Sequence, residues 1–180
     1  IKINLTHDQL YGFTKTSLPM TLRLLLVRHG LSTFNKDRRV QGRNDLSTLT
    51  NEGKQQATQT GDALAELPID FVYSSPLQRA VETTKNILKQ HQKELNPIYT
   101  DDLLEIDLGP WSGLTKDEIK SQYPNEFLTW EKQPKELVIQ REDGTRYKPI
   151  ADLMLQAKHF LDKLIKQDTS TKNKTILLVG

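Results

Sequence analysis

Apolar positions fall into two kinds of pattern along this chain. Leu22 to Val27 is a nearly unbroken apolar run that stops at Arg28-His29-Gly30, and Ile176 to Val179 repeats the pattern before Gly180. Runs of this length without polar alternation predict strands buried on both faces of a sheet. Phe71-Val72-Tyr73-Ser74, bounded by Pro68 and Pro76, predicts a shorter strand, and Pro97 to Tyr99 another. Elsewhere the apolar residues recur at helical spacing. Thr50-Asn51-Glu52-Gly53 opens a helix carrying Ala57, Gly61, Leu64 and Leu67 on one face and ending at Pro68. Ser75-Pro76 suits the cap and first turn of a second helix, with Ala80, Ile87, Leu88 and Leu95 on its buried face. Thr115-Lys116-Asp117-Glu118 has the capping-box pattern and begins a short helix ending near Tyr123-Pro124. A last helix over Ala151 to Lys166 is expected to bury Leu153, Met154, Ala157, Phe160, Leu161, Leu164 and Ile165, with His159 at its boundary. Trp111 and Trp130 read as packing residues. Leu31 to Leu49 is polar and long for a loop, and such loops tend to be functional. Gln133 to Lys148 is also polar, either a small lid over a pocket or a plain surface loop.

The candidate chemistry sits where strands end. Arg28 and His29 are delivered together at the end of a predicted core strand, and Gly30 lets the backbone turn away. In open α/β sheets that edge is where ligands bind. Arginine offers a planar fork of donors for phosphate or carboxylate, and histidine a ring nitrogen that attacks or carries a proton near neutral pH. On these three residues alone, a surface Arg-His pair capping a strand serves equally well. The following loop carries Ser32, Asn35, Lys36, Arg38, Arg39, Gln41, Gly42 and Arg43, a donor-rich set that suits an anion, although Lys36, Arg38 and Arg39 individually read as solvated charges. Arg79 falls in the first turn of a helix, against the preference of the helix dipole, which makes sense beside a negative ligand. Glu105 lies between Leu104 and Ile106. An apolar setting there would raise its pKa and suit it to general-acid work, whereas the local sequence alone favours a half-exposed strand carboxylate. Asp101, Asp102 and Asp107 read as surface charges.

Composition narrows the function classes. At 36% hydrophobic and 27% charged, 180 residues suffice for one domain with a real core, and no internal repeat or low-complexity linker divides them. With 25 basic and 23 acidic residues the balance argues against a nucleic-acid binder. The absence of cysteine excludes disulfides, thiolate catalysis and thiolate zinc sites. His7, His29, His91 and His159 show no metal-ligand spacing, so neither metal nor cofactor is expected. No apolar run approaches a membrane span, so no membrane partner is expected. Ile1 to Met20 differs in character from the rest of the chain and lacks the apolar stretch of a signal peptide. It is expected to be an extension outside the core, with Met20 the natural start, residues 21–180 the domain and His7 without a role. A cytoplasmic location is expected.

Four blocks in order carry a resemblance: Arg28-His29-Gly30 with Asn35 and Gln41-Gly42; Ser74 to Ala80 followed by Glu82-Thr83-Thr84; Leu104 to Gly109; then Trp111 and Gly113. Over Leu22 to Gly180 the chain resembles the histidine phosphatase superfamily, the phosphoglycerate mutase-like family. The resemblance implies a three-layer α/β sandwich with a mostly parallel central sheet and a phosphate pocket at the strand C-termini. It implies that His29 takes the phosphoryl group on a ring nitrogen and that Arg28 and Arg79 grip the phosphate oxygens. Glu105 would protonate the leaving oxygen and then activate water, and Asn35, Gln41 and Gly42 would line the substrate side. The substrate would be a small phosphorylated molecule, turned over without a metal. The short stretch from Trp111 to Ile150 favours a phosphatase over a phosphoglycerate-type mutase, and a non-catalytic phosphate-binding module is the alternative of another class. One departure stands out. In the family the last strand is followed by Gly-His, whose histidine completes the pocket, and here Gly180 is the last residue. The domain is thus expected to be incomplete at its C-terminus, by truncation in preference to degeneration because Arg28, His29, Arg79 and Glu105 are all present. A polypeptide of this exact length is expected to lose roughly 10²–10³ in rate, by analogy with loss of one oxyanion donor.

Overall fold

The two long apolar runs lie side by side, because a buried strand satisfies its backbone only by pairing with another. β2 (Thr21–Val27) and β7 (Lys174–Val179) run parallel, with Leu22 opposite Lys174 through to Val27 opposite Val179. β3 (Phe71–Ser74) joins the other side of β7, and β4 (Ile98–Tyr99) follows it, both in parallel. The computed structural model describes residues 2–6, 21–141, 143–167 and 173–180. Among them β1 (Lys2–Thr6) lies antiparallel to β2, giving the sheet order β1-β2-β7-β3-β4. Residues 2–6 of the expected extension pair with the sheet as its edge strand. His7, Pro19 and Met20, and with them the expectation that Met20 is the natural start, lie outside the described residues.

Among the described residues six helices surround the sheet: α1 (Thr33–Lys36), α2 (Asn51–Leu64), α3 (Gln78–Leu88), α4 (Lys116–Gln122), α5 (Pro124–Lys132) and α6 (Pro149–Gln167). Strand side chains alternate between faces, and β7 shows the consequence. Ile176 and Leu178 pack with Leu22, Leu24, Phe160 and Leu164 beneath α6. Leu177 and Val179 pack with Ala57, Val72 and Ile87 beneath α2 and α3. The result is the three-layer α/β sandwich implied by the resemblance. A third cluster joins Leu108, Trp111, Ile119, Leu137, Ile139 and Tyr147 around α4 and α5. The small hairpin β5 (Ile139–Gln140) and β6 (Arg146–Tyr147) closes it, so Leu137, Ile139 and Tyr147 give the otherwise polar stretch from Gln133 to Lys148 an apolar underside.

Several local expectations hold and several shift. Thr115 and Glu118 form the capping box, and Thr50 caps α2 through the Gly53 N–H. Trp111 is buried and meets Trp130 edge-on at 6.1 Å. β2 is not buried throughout, because Leu26 is exposed at the sheet surface. The stretch from Leu31 to Leu49 is not all loop, since Ser32 caps the single turn α1. The second helix ends at Leu88, and Leu95 reaches the core from the connection beyond it. On α6, Met154 and Ala157 face solvent where burial is expected, because only the second half of that helix crosses the sheet. Leu177→Ala should accordingly cost about 2–5 kcal/mol and Met154→Ala less than about 0.5 kcal/mol, read from urea unfolding midpoints.

Candidate active site

The C-terminal ends of β2 and β7 are stitched across each other. The His29 N–H donates to the Gly180 carbonyl at 2.8 Å, and the Gly180 N–H donates to the Val27 carbonyl at 3.1 Å. The Gly30 N–H then donates to Thr83 Oγ1 at 3.1 Å, and that hydroxyl donates to the Arg79 carbonyl at 2.7 Å. Gly30 serves by its lack of a side chain, with no positive φ. A Cβ there would collide with the Gly53 carbonyl, and one on Gly53 with the Leu31 carbonyl, so paired glycines let the first turn of α2 press onto the loop after His29.

The His29 ring is buried, with Nδ1 at 2.7 Å from the Gly30 carbonyl oxygen. A carbonyl only accepts, so Nδ1 carries the proton and Nε2 presents a lone pair. Nε2 faces the Gln41 amide nitrogen at 3.3 Å. Gln41 is buried in turn, and its Oε1 accepts from Ser32 Oγ at 2.6 Å and Ser47 Oγ at 2.8 Å. Burial lowers the His29 pKa below its ordinary value; the Gly30 carbonyl opposes this, Arg79 and Arg28 reinforce it, and Glu105 opposes it weakly. The neutral, nucleophilic form is therefore favoured.

Arg79, in the first turn of α3, is almost entirely buried and serves as the hub of the site. Its guanidinium donates to the Asn44 carbonyl at 2.9 Å, to the Gly42 carbonyl at 2.7 Å and to Glu105 Oε2 at 2.8 Å. Gly42 has a φ of 52°, and a Cβ there would lie 2.8 Å from Ser112 Oγ, so a glycine is required for its carbonyl to meet Arg79. The helix is not capped by Ser75-Pro76 as expected. Leu77 occupies the cap position without a side-chain bond, and Asp45 Oδ1 from the distant loop accepts the Gln78 N–H at 2.6 Å. Glu105 does not enter an apolar pocket: its side chain is 42% exposed and ion-paired to Arg79. Its backbone is held by Arg43, which donates to the Glu105 carbonyl at 3.1 Å and to Gln156 Oε1 at 2.8 Å. Gln156 donates to the Asp102 and Leu104 carbonyls. Asp107, expected as a surface charge, is structural. It accepts the Gly109 N–H and an Arg141 N–H, and these bonds overcome the upward pull of its burial to hold the carboxyl below the usual range.

The sequence-selected residues thus converge in part. His29 and Gln41 touch, Arg79 joins Gly42 to Glu105, and Arg28, Arg79 and Glu105 all act on the charge of His29. Arg28 is exposed, and no hydrogen bond ties its guanidinium among the described residues. Asn35 lies one bond further out, its Oδ1 at 3.0 Å from Ser32 Oγ. Sequence reasoning missed Ser47, Asp45 and Gln156, which no local pattern marks; Arg43, counted there among the anion-binding donors, instead braces the Glu105 backbone. Thr83 was already part of the second sequence block, and its bond to the Arg79 carbonyl follows from its place four residues after Arg79 on the same helix face. A neutral imidazole lone pair, an amide donor, a cluster of guanidinium groups and a carboxyl can move an anionic group onto nitrogen and off again.

Known proteins share this framework. Residues 24–180 match the model of the histidine phosphatase superfamily (branch 1). The chain is 33% identical over 160 residues to a probable 2-carboxy-D-arabinitol-1-phosphatase of Arabidopsis thaliana, covering 89% of this chain and 31% of that one. It is also 33% identical to phosphoserine phosphatase 1 of Hydrogenobacter thermophilus, covering 88% of this chain and 70% of that one. The solved structure of YhfR from Bacillus stearothermophilus superposes with a TM-score of 0.77 at 29% identity, covering 88% of this chain and 73% of that one. The chain therefore spans about a third of the plant relative and some seven-tenths of the bacterial one.

The lowered His29 pKa has a consequence for stability. Between its ordinary value of 6.5 and the lower folded value, the unfolded chain binds more protons than the folded one. The His29 contribution should be full above pH 6.5 and be lost as pH falls through the folded value. Urea midpoints of wild type should therefore drop as pH falls below 6.5 relative to His29→Gln, which lacks that titration.

Proposed function

We propose, since the chain belongs to the histidine phosphatase superfamily, that it is a phosphomonoesterase working through a phosphohistidine intermediate. The observation that carries the reading is the buried His29 imidazole, with Nδ1–H held by the Gly30 carbonyl and Nε2 keeping its lone pair, against which only the Gln41 amide is placed among the described residues. In the first step Nε2 attacks phosphorus, the bond to the leaving oxygen breaks, and Glu105 in its acid form gives that oxygen a proton. In the second, a water oxygen attacks phosphorus, Glu105 as carboxylate accepts the water proton, and the P–N bond breaks to free His29 and inorganic phosphate. Arg28 and Arg79 compensate the charge on the phosphoryl oxygens. Such transfer needs positioning and electrostatic stabilisation more than covalent participation by the protein.

The relatives are named as a probable 2-carboxy-D-arabinitol-1-phosphatase and a phosphoserine phosphatase, which supports a small phosphomonoester as substrate here. The short connection from Trp111 to Ile150 supports hydrolysis over mutase chemistry, because a mutase must shield its phosphoenzyme from water. The same proposal takes residues 21–180 as the catalytic domain and Asn35, Gln41 and Gly42 as its substrate-side loop. A cytoplasmic setting fits a chain without cysteine. No helix among the described residues is long and apolar enough to cross a membrane.

Incubation with radiolabelled p-nitrophenyl phosphate, whose leaving group needs no acid, should yield an acid-labile, alkali-stable phosphoprotein. His29→Ala should give none. Glu105→Gln should still be phosphorylated but release phosphate about 10²–10⁴-fold more slowly. Label retained in His29→Ala would overturn the reading.

A further inference from the structure

The Gln41 side chain faces the reacting nitrogen of the proposed nucleophile, and nothing in its own chemistry fixes which way its amide turns. The torsion that rotates a carboxamide is broad and roughly two-fold. The surroundings decide the matter in a chain of steps. The Gly30 carbonyl accepts from Nδ1, so the Nε2 side of His29 is a lone pair and must meet a donor. The group facing it at 3.3 Å is therefore the Gln41 NH₂, which leaves Oε1 turned the other way. There it accepts from two hydroxyls, Ser32 Oγ at 2.6 Å and Ser47 Oγ at 2.8 Å, each with a single hydrogen to give. The other acceptor beside Ser32, Asn35 Oδ1, is farther at 3.0 Å, and the other neighbour of Ser47, Thr33 Oγ1, is at 3.4 Å, so in each case the shorter bond to Gln41 takes the hydrogen. Those hydroxyls are oriented as well. The Asn35 N–H donates to Ser32 Oγ at 3.2 Å, and the Phe34 N–H donates to Ser47 Oγ at 3.2 Å. Two backbone donors thus set two hydroxyls, two hydroxyls set one amide, and the amide aims at the reacting nitrogen. Ser32 and Ser47 are both fully buried, so no water competes for these bonds.

Resting on the phosphohistidine reading of the site, we propose that Ser47, with Ser32, is a positioning residue that locks the Gln41 amide with its N–H edge toward the phosphoryl group transferred to His29. Before transfer, one Gln41 N–H is spent on the Nε2 lone pair. As the P–N bond forms, that lone pair is consumed and a phosphoryl oxygen arrives beside the same nitrogen. The donor then passes from the ring to the oxygen without reorientation. Exchange of a neutral nitrogen acceptor for an anionic oxygen makes the bond stronger as charge moves, and an interaction stronger in the transition state than before it accelerates the step itself. Gln41 would touch the reacting group, and Ser47 would act through it. Removal of the Ser47 hydroxyl leaves Oε1 with one donor and lets the amide turn, which puts its oxygen against the lone pair.

The test uses the whole chain and four forms: wild type, Ser47→Ala, Gln41→Ala and the double variant. Imidazole ¹⁵N NMR reads the His29 tautomer and titration midpoint without any substrate. Rapid-quench phosphorylation by p-nitrophenyl phosphate reads the transfer step. In wild type the Nδ1–H tautomer is expected. Ser47→Ala should raise the His29 titration midpoint, since an amide N–H on Nε2 resists protonation there, and should slow phosphorylation roughly 10-fold to 100-fold. Gln41→Ala should do the same, and the double variant should be no worse than Gln41→Ala alone. Ser47→Thr, which keeps the hydroxyl, should restore the wild-type midpoint. An Nε2–H tautomer in wild type overturns the proposal even if no variant folds, and so does an additive double variant or an unmoved midpoint in Ser47→Ala. Absence of any phosphoenzyme in wild type, with the coupled titration shifts intact, overturns the phosphatase reading and upholds the positioning of Gln41 by Ser47.

Discussion

A guanidinium almost wholly removed from water must find its hydrogen bonds inside the protein, and the requirements of Arg79 organise much of this site. A buried charge without acceptors is costly by several kcal/mol. Arg79 draws two backbone carbonyls and one carboxylate onto itself, from Gly42, Asn44 and Glu105. Those residues belong to segments remote along the chain, so one side chain ties together the start of α3, the loop after α1 and the stretch after β4. The Asp45 carboxylate strengthens the same junction by accepting the Gln78 N–H at the start of α3. Proton affinity, loop shape and nucleophile environment thus share one electrostatic anchor.

The sheet supplies what Arg79 cannot. Parallel strands end together, and the backbone bonds among Val27, His29 and Gly180 bring the ends of β2 and β7 into one place. Opposed glycines at positions 30 and 53 let α2 sit close over that junction, and Thr83 bridges Gly30 to the Arg79 carbonyl. The rigid layers therefore hold His29 from the backbone side, while the loop through Gln41 and Ser47 meets its reactive face. Rigid elements beneath and bonded loops above give the preorganisation that group transfer requires.

The network around His29 is also directional. The series runs from the Phe34 N–H through Ser47 to Gln41, and it ends on the ring nitrogen of His29 that keeps its lone pair. The third apolar cluster performs a separate task. Tyr147 and Arg141 hold Asp107, two positions after Glu105, so the lobe built from α4, α5 and the β5–β6 hairpin braces the segment that carries the carboxyl.

How much of this was legible in the chain depended on the range of the interactions involved. The central strands, the helix faces and the Thr115–Glu118 cap follow from residues a few positions apart, so local pattern sufficed. Arg28, His29, Arg79 and Glu105 were recognisable because each stands in a distinctive block beside a strand end or helix start. The orientation of α6 was not legible, because Met154 and Ala157 fit an apolar stripe equally well whether or not a sheet lies beneath them. The state of Glu105 was not legible either: Leu104 and Ile106 suggested an apolar pocket, and only the fold set a buried guanidinium against it. Ser47, Asp45 and Gln156 looked like any polar surface residues, and Arg43 like one more charge of an anion-binding loop. The sequence by itself determined the central strands, the longer helices and which reactive groups stand at their ends. Tertiary structure alone decided which polar atoms face one another, because hydrogen bonds between residues remote along the chain have no periodicity to betray them.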